Sequence, residues 1–397
     1  MNEKVDFVEG YRPDQPQEKA TLQISMEGKL LSGIPGHDPL ATNYLLTGPD
    51  KSLRLIPGLI DIHVHGGKGI TFGESLTRAE DDLREYSGWV ASKGVTGFLC
   101  SIAAPDQDQL LKLVEAYTGI LAGELPGAEC LGLHLEGPFL SQAKRGAFKS
   151  EWLRAPTIPE LESLLKAGQG WIRQVTIAPE VDGASEAAHF LKKAGVVVAL
   201  GHTDCDYDLA AQALSNGFSH VTHTYNAMSA FSHFVPGAVG AVLTSRNATA
   251  ELIADGIHVH PGAMKLLYLC LGAERVALIT DAMAGAGMPD GVYELIGAPV
   301  IVKDRRATRP EDGRLAGSTV TLDQCVLNMV RLAGASFAHS VSMASLVPAR
   351  VIHLEARLGT LEPGKDANFS VVDQDMRVFR TVVKGRIVFE HSMAAIS

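Results

Sequence analysis

The sequence predicts an α/β protein, built as a (β/α)8 TIM-type barrel with a small β-sandwich domain formed from both termini. Between residues 58 and 357, short β-branched runs alternate with longer helical patterns, which is typical of βαβ units and parallel strands. About eight such units fit into this segment, enough to close a barrel. Residues 1–57 and 358–397 instead show strand patterns separated by Gly- and Asp-rich turns, so we expect them to form the β-sandwich together.

The elements of the predicted barrel follow one another in chain order. Apolar and β-branched runs predict strands, as in "PGLIDIHVHGG", "GVTGFLCSIA", "ECLGLHLEGPFL" and "VVVALGHTD". Between the strands, helical patterns occur, as in "QDQLLKLVEAYTGILAG", "SEAAHFLKKAG" and "YDLAAQALSNG". The segment 302–317 is the most polar interruption, and we expect a mobile loop or a hairpin there.

Composition excludes several classes of protein. The chain has 46% hydrophobic and 20% charged residues, which is typical of a globular enzyme with a large core. Its formal net charge of -10 comes without a Lys- and Arg-rich run, which argues against nucleic-acid binding. No apolar run approaches the roughly 18 residues of a membrane span, and the N-terminus lacks the core of a signal peptide. The five cysteines form no C-x-x-C pair, so we expect reduced thiols in a cytoplasmic protein without membrane partners.

Polar side chains recur at the ends of the predicted barrel strands. Residues two apart share one face of a strand, so His63 and His65 project together. Later strands carry polar residues in the same place, at the end where the catalytic groups of such barrels gather. The six residues are His63, His65, Glu136, His202, His223 and Asp281. A lone strand histidine is usually a hydrogen-bonded structural residue. Four histidines converging with two carboxylates instead predict a divalent metal site.

Seven segments resemble, in order and spacing, the N-acetylglucosamine-6-phosphate deacetylases of the amidohydrolase superfamily. They are "PGLIDIHVHGG", "LHLEGPFL", "LGHTDCDYDLA", "THTYNAM", "ADGIHVHP", "ITDAMAGAG" and "GTLEPGKDANFSVVD". The resemblance implies a barrel with a β-sandwich from both ends, usually in a homodimer. It implies that Glu136, His202 and His223 form the shared metal site. It further implies that His63 and His65 are the pair with which some members hold a second ion. Zinc suits these ligands best, with iron or manganese as alternatives.

The resemblance implies hydrolysis of the N-acetyl group of N-acetylglucosamine 6-phosphate, which gives glucosamine 6-phosphate and acetate. Asp281 would accept the proton of the attacking water and pass it to the departing amine. Its alternative interpretation is a helix N-cap. His258 looks like the substrate-contacting histidine of the family. Asn226 and the backbone at Ala227 correspond to groups that contact the phosphorylated sugar.

Two positions depart from the family pattern. Phe234 stands where the family usually has an arginine that helps to bind the sugar phosphate, and Phe148 replaces a histidine at the acetyl end of the pocket. Losing a charge-assisted arginine contact should cost about 1.5–3 kcal/mol of phosphate binding. One reading is that other cations take over the phosphate, the candidates being His233, Lys144, Arg145 and Arg246. The other is that the substrate is an unphosphorylated N-acetyl amino sugar or another N-acyl amine.

A hypothesis from a different class is a sugar-binding protein that kept the fold without catalysis. The intact set of six polar residues argues against it, because a binding protein has no need for all of them. Other reactions of the superfamily, such as cyclic-amide hydrolysis or deamination, are disfavoured by the "HLEGPF" and "YNAM" segments.

Overall fold

The structure, a computed structural model, describes residues 7–12, 15–25, 27–32, 44–46 and 53–391. In chain order the strands are β1 (Phe7–Arg12), β2 (Gln15–Ile24), β3 (Leu30–Ser32), β4 (Tyr44–Leu46), β5 (Arg54–Pro57), β6 (Leu59–Val64), β7 (Gly66–Gly67), β8 (Ile70–Thr71), β9 (Val95–Ile102), β10 (Glu129–Glu136), β11 (Ile172–Ile177), β12 (Val197–Leu200), β13 (His220–Val221), β14 (Thr249–Ile253), β15 (Val276–Ile279), β16 (Gly291–Leu295), β17 (Ala298–Lys303), β18 (Arg306–Thr308), β19 (Phe369–Val372), β20 (Val378–Val383) and β21 (Arg386–Glu390). The α-helices are α1 (Ala79–Ala91), α2 (Gln107–Leu121), α3 (Ile158–Gly168), α4 (Ala184–Lys193), α5 (Tyr207–Ser215), α6 (Gly237–Thr244), α7 (Pro261–Leu271), α8 (Leu322–Ala333), α9 (Phe337–Met343) and α10 (Leu346–Val351).

The predicted barrel is confirmed. Eight parallel strands follow one another in the order β6-β9-β10-β11-β12-β13-β14-β15, and the helices α1 to α8 come after them in turn. The two outer strands of this sheet meet. The backbone N–H of Asp281 donates to the carbonyl of His63 at 2.9 Å. The hydroxyl of Thr280 donates to the carboxylate of Asp61 at 2.6 Å. The carboxyl ends of all eight strands therefore lie on one rim.

Local sequence explains where several barrel helices begin. Asp106 precedes α2 and accepts a hydrogen bond from the backbone N–H of Gln109 at 2.8 Å. Asp206 does the same before α5, with the backbone N–H of Leu209 at 2.9 Å. These carboxylates satisfy N–H groups that have no partner inside the helix. The barrel strands β9 and β12 are buried along their whole length, because helices cover one face and the barrel interior covers the other.

The terminal β domain is also confirmed. The strands of both chain ends form one eight-stranded sheet of antiparallel pairs, in the order β21-β20-β19-β5-β4-β1-β2-β3. Leu30, Leu55 and Phe369 are among its buried core residues. β5 pairs with β19 and leads directly into the first barrel strand, so the two domains are joined at Gly58. The domain boundaries at residues 57 and 358 stay a prediction.

A three-stranded antiparallel sheet of β16, β17 and β18 follows the last barrel strand. Part of the polar segment 302–317 lies in it, so the expected interruption contains a hairpin. The tight turn between β16 and β17 consists of Ile296 and Gly297, which have φ values of 53° and 67°. None of the described helices has both the length and the apolar character needed to cross a membrane.

Candidate active site

The structure brings the six predicted polar residues together at the carboxyl ends of the barrel strands. One group contains His63, His65 and Asp281, and the other contains Glu136, His202 and His223. Within each group, one candidate ligand atom per residue lies within 4.8 Å of the others. The cluster is almost closed to water, since all but Asp281 are buried and the Asp281 side chain is 13% exposed. The structure therefore brings these six residues together at one rim, and their roles as metal ligands and base stay predictions.

Glu136 is the carboxylate that both groups share. Its Oε1 atom lies 3.0 Å from Nε2 of His223 and 3.2 Å from Nε2 of His202. Its Oε2 atom lies 3.0 Å from Nε2 of His65. A single carboxylate thus contacts histidines from both groups, which is the position of a bridging ligand.

The donor atoms of the cluster fit a divalent metal ion. The Nε2 atoms of His202 and His223 lie only 3.0 Å apart and point at the same carboxylate oxygen. The Nε2 atom of His63 is buried and has no hydrogen-bond partner among the described residues. A buried polar atom without a partner is costly, and coordination of a cation would offset that cost. Imidazole nitrogen with carboxylate oxygen is the ligand chemistry of zinc and similar ions.

Three residues of the cluster have backbone conformations that L-amino acids rarely adopt. The φ angles of His202, His223 and Asp281 are 49°, 27° and 48°. Such conformations cost on the order of 1–3 kcal/mol each and persist only where the surrounding fold imposes them. The barrel therefore holds these side chains in positions that an isolated loop would not favour.

Ionisation of the two carboxylates follows from their neighbours. Burial alone would raise the pKa of Asp281, but the imidazole of His63 and a hydrogen bond with His65 lower it below its usual value. Burial is likewise opposed at Glu136, where His63, His202 and His223 hold the pKa well below its usual value. Both groups are therefore carboxylates at neutral pH, able to accept a proton or bind a cation.

Glu251 is a buried residue beside the cluster that was not predicted from the sequence. It lies in β14, is fully buried, and accepts hydrogen bonds with both carboxylate oxygens. Oε2 lies 2.8 Å from Nδ1 of His63 and 2.9 Å from the backbone N–H of His223. Oε1 lies 2.8 Å from Nε2 of Gln174 and 3.2 Å from Nε2 of His220. Glu251 therefore orients His63 so that its other nitrogen faces the cluster.

The charge of Glu251 is fixed by the same contacts. Burial alone would raise its pKa, but attraction to His63 and hydrogen bonds from His220 and His63 hold it well below its usual value. The only signal in the sequence is a charged residue inside an otherwise apolar strand, "ATAELIADG". A buried charge without a partner is too costly to persist, so such a residue indicates a polar network.

A cavity of about 440 Å³ opens from the cluster. Among the predicted substrate-binding residues, Asn226, Ala227, His258 and Phe148 line it. His233 and Phe234 are not among the described residues that line it, and Phe234 is 83% exposed. The structure therefore brings four of these six residues to the cavity, and their roles stay predictions.

Two of the lining residues have fixed partners. Nδ1 of His258 lies 2.7 Å from Oδ2 of Asp255, which leaves Nε2 available. Phe148 is 2% exposed, and its ring packs edge-on against the imidazole of His202 with the centroids 5.4 Å apart. It therefore places an apolar surface beside a candidate metal ligand.

Two cationic side chains also line this cavity. One is Lys144, whose Nζ atom lies 3.3 Å from Oδ1 of Asp204. The other is Arg314, which belongs to the segment after β18 and is 81% exposed. Lys144 is one of the cations predicted from the sequence to bind the phosphate. Arg314 is not among them, because nothing in the local pattern places that loop over the barrel.

His134 lies next to the cluster without joining it. Its Nδ1 atom lies 2.9 Å from the hydroxyl of Ser101 and its Nε2 atom 2.8 Å from the hydroxyl of Thr176. Both nitrogens are thus occupied, and burial holds its pKa well below the usual value. His134 is a neutral structural residue beside the site.

Comparison with known proteins places this geometry in a family. The amidohydrolase family model matches residues 54–388. N-acetylglucosamine-6-phosphate deacetylase of Bacillus subtilis (strain 168) is 38% identical over 338 residues, 84% of this chain and 84% of the relative. N-acetylgalactosamine-6-phosphate deacetylase of Escherichia coli O157:H7 is 40% identical over 338 residues, 84% of this chain and 87% of the relative.

Solved structures of two deacetylases are also similar to this chain. A variant of N-acetyl-D-glucosamine-6-phosphate deacetylase from Mycobacterium smegmatis, in complex with N-acetyl-D-glucosamine-6-phosphate, is similar with a TM-score of 0.83 and 32% identity. That match covers 94% of this chain and 96% of the other. N-acetylglucosamine-6-phosphate deacetylase from Thermotoga maritima has a TM-score of 0.83 and 28% identity, with coverage of 96% and 98%.

Proposed function

The chain belongs to the amidohydrolase family, and from this premise we propose that it hydrolyses the N-acetyl amide of N-acetylglucosamine 6-phosphate. The products are glucosamine 6-phosphate and acetate. The observation that carries the proposal is the convergence of four histidines and two carboxylates at one end of a sugar-sized cavity. Relatives with this activity match most of the chain, which supports the same substrate class.

Asp281 is the proposed catalytic base. Its pKa is lowered, so the carboxylate is available at neutral pH to accept a proton from water. Oδ1 lies 3.5 Å from Nε2 of His63 and 3.4 Å from Nε2 of His65, which places the carboxylate beside both imidazoles. The deprotonated water attacks the acetamide carbonyl, and Asp281 then returns the proton to the amine nitrogen as the carbon–nitrogen bond breaks.

The residues proposed to hold one or two divalent cations are Glu136, His202 and His223, with His63 and His65 as the pair for a second ion. A cation bound there would polarise the acetamide carbonyl and lower the pKa of water toward neutrality. Zinc is the proposed ion, because its preferred ligands are the imidazole nitrogens and carboxylate oxygens of this set. Glu251 keeps His63 in the required orientation through its 2.8 Å contact with Nδ1.

Lys144 and Arg314 are proposed to bind the phosphate in place of the arginine that Phe234 replaces. Both line the cavity, and no negatively charged residue other than Glu136 and Asp281 lines it with them among the described residues. Each charge-assisted contact with a phosphate is worth about 1.5–3 kcal/mol, or roughly tenfold to 150-fold in affinity. This supports a phosphorylated substrate over the neutral sugar.

A second candidate substrate is N-acetylgalactosamine 6-phosphate. The relative with that activity is 40% identical to this chain, slightly more than the 38% of the Bacillus subtilis relative. The two sugars differ only in the orientation of one hydroxyl group. The chemistry at the acetamide would be the same for both.

The experiment is a measurement of kcat/KM on protein with counted metal, for both phosphorylated sugars and for unphosphorylated N-acetylglucosamine. We expect the phosphorylated sugar to be preferred at least tenfold. Lys144→Met and Arg314→Met should raise KM for it and leave the neutral sugar unaffected. Arg331→Met, at an exposed residue that pairs with Asp375, is the matched control. A preference for the neutral sugar, or no activity on any of the three, would refute the proposed substrate.

We also propose that the protein forms a homodimer and works in the cytoplasm. An exposed apolar patch of Phe231, Phe234 and Val235 supports a homodimer, since these side chains are 53%, 83% and 63% exposed. Four of the five cysteines are buried, unpaired thiols, which suits a reducing cytoplasm. Light scattering on the purified protein measures its oligomeric state directly.

A further inference from the structure

A second cavity, of about 540 Å³, adjoins the metal-ligand cluster. It shares two lining residues, His65 and Ile296, with the cavity described above. We propose that this second cavity receives the acyl group of the substrate and admits uncharged acyl chains longer than acetyl. The inference rests on the proposed function, because it concerns the other side of the same amide.

The two cavities differ in the chemistry of their walls. The first presents polar and charged groups, such as Asn226, His258 and Lys144, which suit a sugar phosphate. The second is more apolar, with Phe72 and Leu113, both 5% exposed, in its wall, although polar side chains such as Gln109 and Lys112 also line it.

The carbonyl carbon of an amide held at the cluster carries two substituents, the amine part and the acyl part, which point in different directions. The amine part matches the more polar first cavity, so the acyl part matches the second. Phe148, which the resemblance put at the acetyl end, lines the first cavity beside His202, so in this assignment it flanks the amide and not the acyl chain.

The size of the second cavity exceeds what acetyl requires. A methyl group is close in size to a water molecule, which occupies about 30 Å³ in the liquid. A cavity of about 540 Å³ beside His65 therefore leaves room for several further methylene groups. Burial of each methylene in apolar surroundings favours binding.

The walls of the second cavity are fixed to the cluster by hydrogen bonds. The backbone N–H of Phe72 donates to the carbonyl of His65 at 2.8 Å. The backbone N–H of Gly73 donates to the hydroxyl of Tyr117 at 2.8 Å. The hydroxyl of Thr71 donates to the carbonyl of Glu294 at 2.9 Å, which ties this wall to the hairpin of β16 and β17. The cavity is thus part of the folded framework around His65.

Ile296 lies between the two cavities in a conformation that its residue type disfavours. Its φ angle is 53°, and a β-branched residue in the left-handed region is an outlier. The turn that it forms with Gly297 is one where Asn-Gly would be expected. Strained residues of this kind concentrate at functional sites. We assign to Ile296 the separation of the sugar cavity from the acyl cavity.

Two carboxylates define which acyl groups the second cavity excludes. Glu74 and Glu294 both line it, and they outnumber Lys112, the one lysine or arginine of its wall among the described residues. Burial raises the pKa of Glu74, and the like charge of Glu294 raises it further. A third carboxylate on the acyl chain would meet the same repulsion, so the cavity favours uncharged chains.

The test compares kcat/KM of the metal-loaded enzyme for N-acetyl-, N-butanoyl- and N-succinylglucosamine 6-phosphate. We expect the butanoyl value to be at least one tenth of the acetyl value and the succinyl value to fall below one hundredth. Hydrolysis of the acetyl substrate with a butanoyl value below one tenth overturns this inference and leaves the proposed function intact. If none of the three substrates is hydrolysed, the proposed function and this inference are both overturned.

A variant that fills the cavity gives the second measurement. Ala103 lines it, and Ala103→Leu should lower the ratio of the butanoyl to the acetyl kcat/KM at least tenfold. A ratio is insensitive to a lower fraction of folded enzyme. Ala122→Leu adds the same side chain at an exposed position and should leave the ratio unchanged. If Ala103→Leu destabilises the fold, Leu76→Trp fills the cavity from a rim residue that is 47% exposed. An unchanged ratio in the filled variant overturns the inference.

Discussion

Replacing Glu251 with glutamine should weaken metal binding, although Glu251 is not one of the proposed metal ligands. The carboxylate accepts four hydrogen bonds, one of them from Nδ1 of His63 at 2.8 Å. A glutamine of the same shape has a single acceptor oxygen, so its amide nitrogen must face two of the four donors. Either His63 and the backbone of His223 lose their acceptor, or Gln174 and His220 lose theirs.

The expected magnitude has two parts. Removing the partner that orients a ligating histidine typically costs 10- to 100-fold in metal affinity, or about 1.4–2.7 kcal/mol. Removing one partner of a buried charged network costs about 3–5 kcal/mol of unfolding free energy. Because the pKa of Glu251 is well below its usual value, the wild-type carboxylate stays charged from pH 6 to 9. The same carboxylate helps to raise the pKa of His63, which must be neutral to bind a cation, so the ratio of wild-type to variant metal affinity should rise with pH over that range.

The assay is competition with a chelator of known affinity, which gives the metal Kd of wild type and Glu251→Gln. Urea unfolding of both metal-free proteins gives the stability change separately, so the two parts are not confused. Glu160→Gln is the matched control. Glu160 is a buried carboxylate that pairs with Arg154 at 2.6 Å, distant in sequence from every proposed ligand.

The control should lose stability and keep the wild-type metal Kd. A Glu251→Gln protein that is folded and binds metal within threefold of wild type would refute the orienting role of Glu251. An equal loss of affinity in Glu160→Gln would assign the effect to general destabilisation instead.

Three further predictions concern individual residues. Asp281→Asn should lower kcat by about 10²- to 10⁴-fold, because the catalytic base is lost. The variant should keep at least one metal ion per chain, because the group of Glu136, His202 and His223 remains. Activity near that of wild type in a variant with counted metal would rule Asp281 out as the base. His63→Ala should lower the number of bound ions per chain, and an unchanged number by elemental analysis would show that His63 is not a ligand. A thiol reagent at pH 8 should label one cysteine of the native protein, the exposed Cys270, and five after denaturation. The reason is that burial raises the pKa of Cys130 to about 12 and of Cys205 to about 11. Rapid labelling of the native Cys270→Ser variant would contradict this prediction.

The positions of the candidate ligands could be predicted because they depend on short-range rules. Side chains two apart share a face of a strand, which placed His63 and His65 together. Parallel barrel strands present their carboxyl ends on one rim, which brought Glu136, His202 and Asp281 to the same place. Neither rule requires knowledge of side-chain packing, and the structure brings these residues together, while their roles as ligands and base stay predictions.

The supporting residues could not be predicted by the same rules. Glu251 lies in β14, His220 in β13 and Gln174 in β11, at positions that ordinarily hold apolar core residues. Their hydrogen bonds join residues as much as 188 positions apart, and no local pattern encodes such a pairing. Arg314 and Ile296 reach the site only because the segment after β15 folds back over the barrel rim.

Phe234 is a residue whose predicted place in the pocket differs from its place in the structure. Its place in the sequence suggested a pocket residue, yet its side chain is 83% exposed in the structure of the single chain. Sequence spacing specifies which residue follows a motif, but the course of the loop decides whether its side chain turns inward.

The barrel, the terminal β domain and the rim on which the ionisable residues meet could be predicted from the sequence, because periodicity and strand polarity are properties of the local chain. The folded structure was needed to show which buried carboxylate orients His63, which cations face the cavity and that a second, more apolar cavity lies beside His65. These features depend on distances between residues far apart in the chain, and such distances are set by packing.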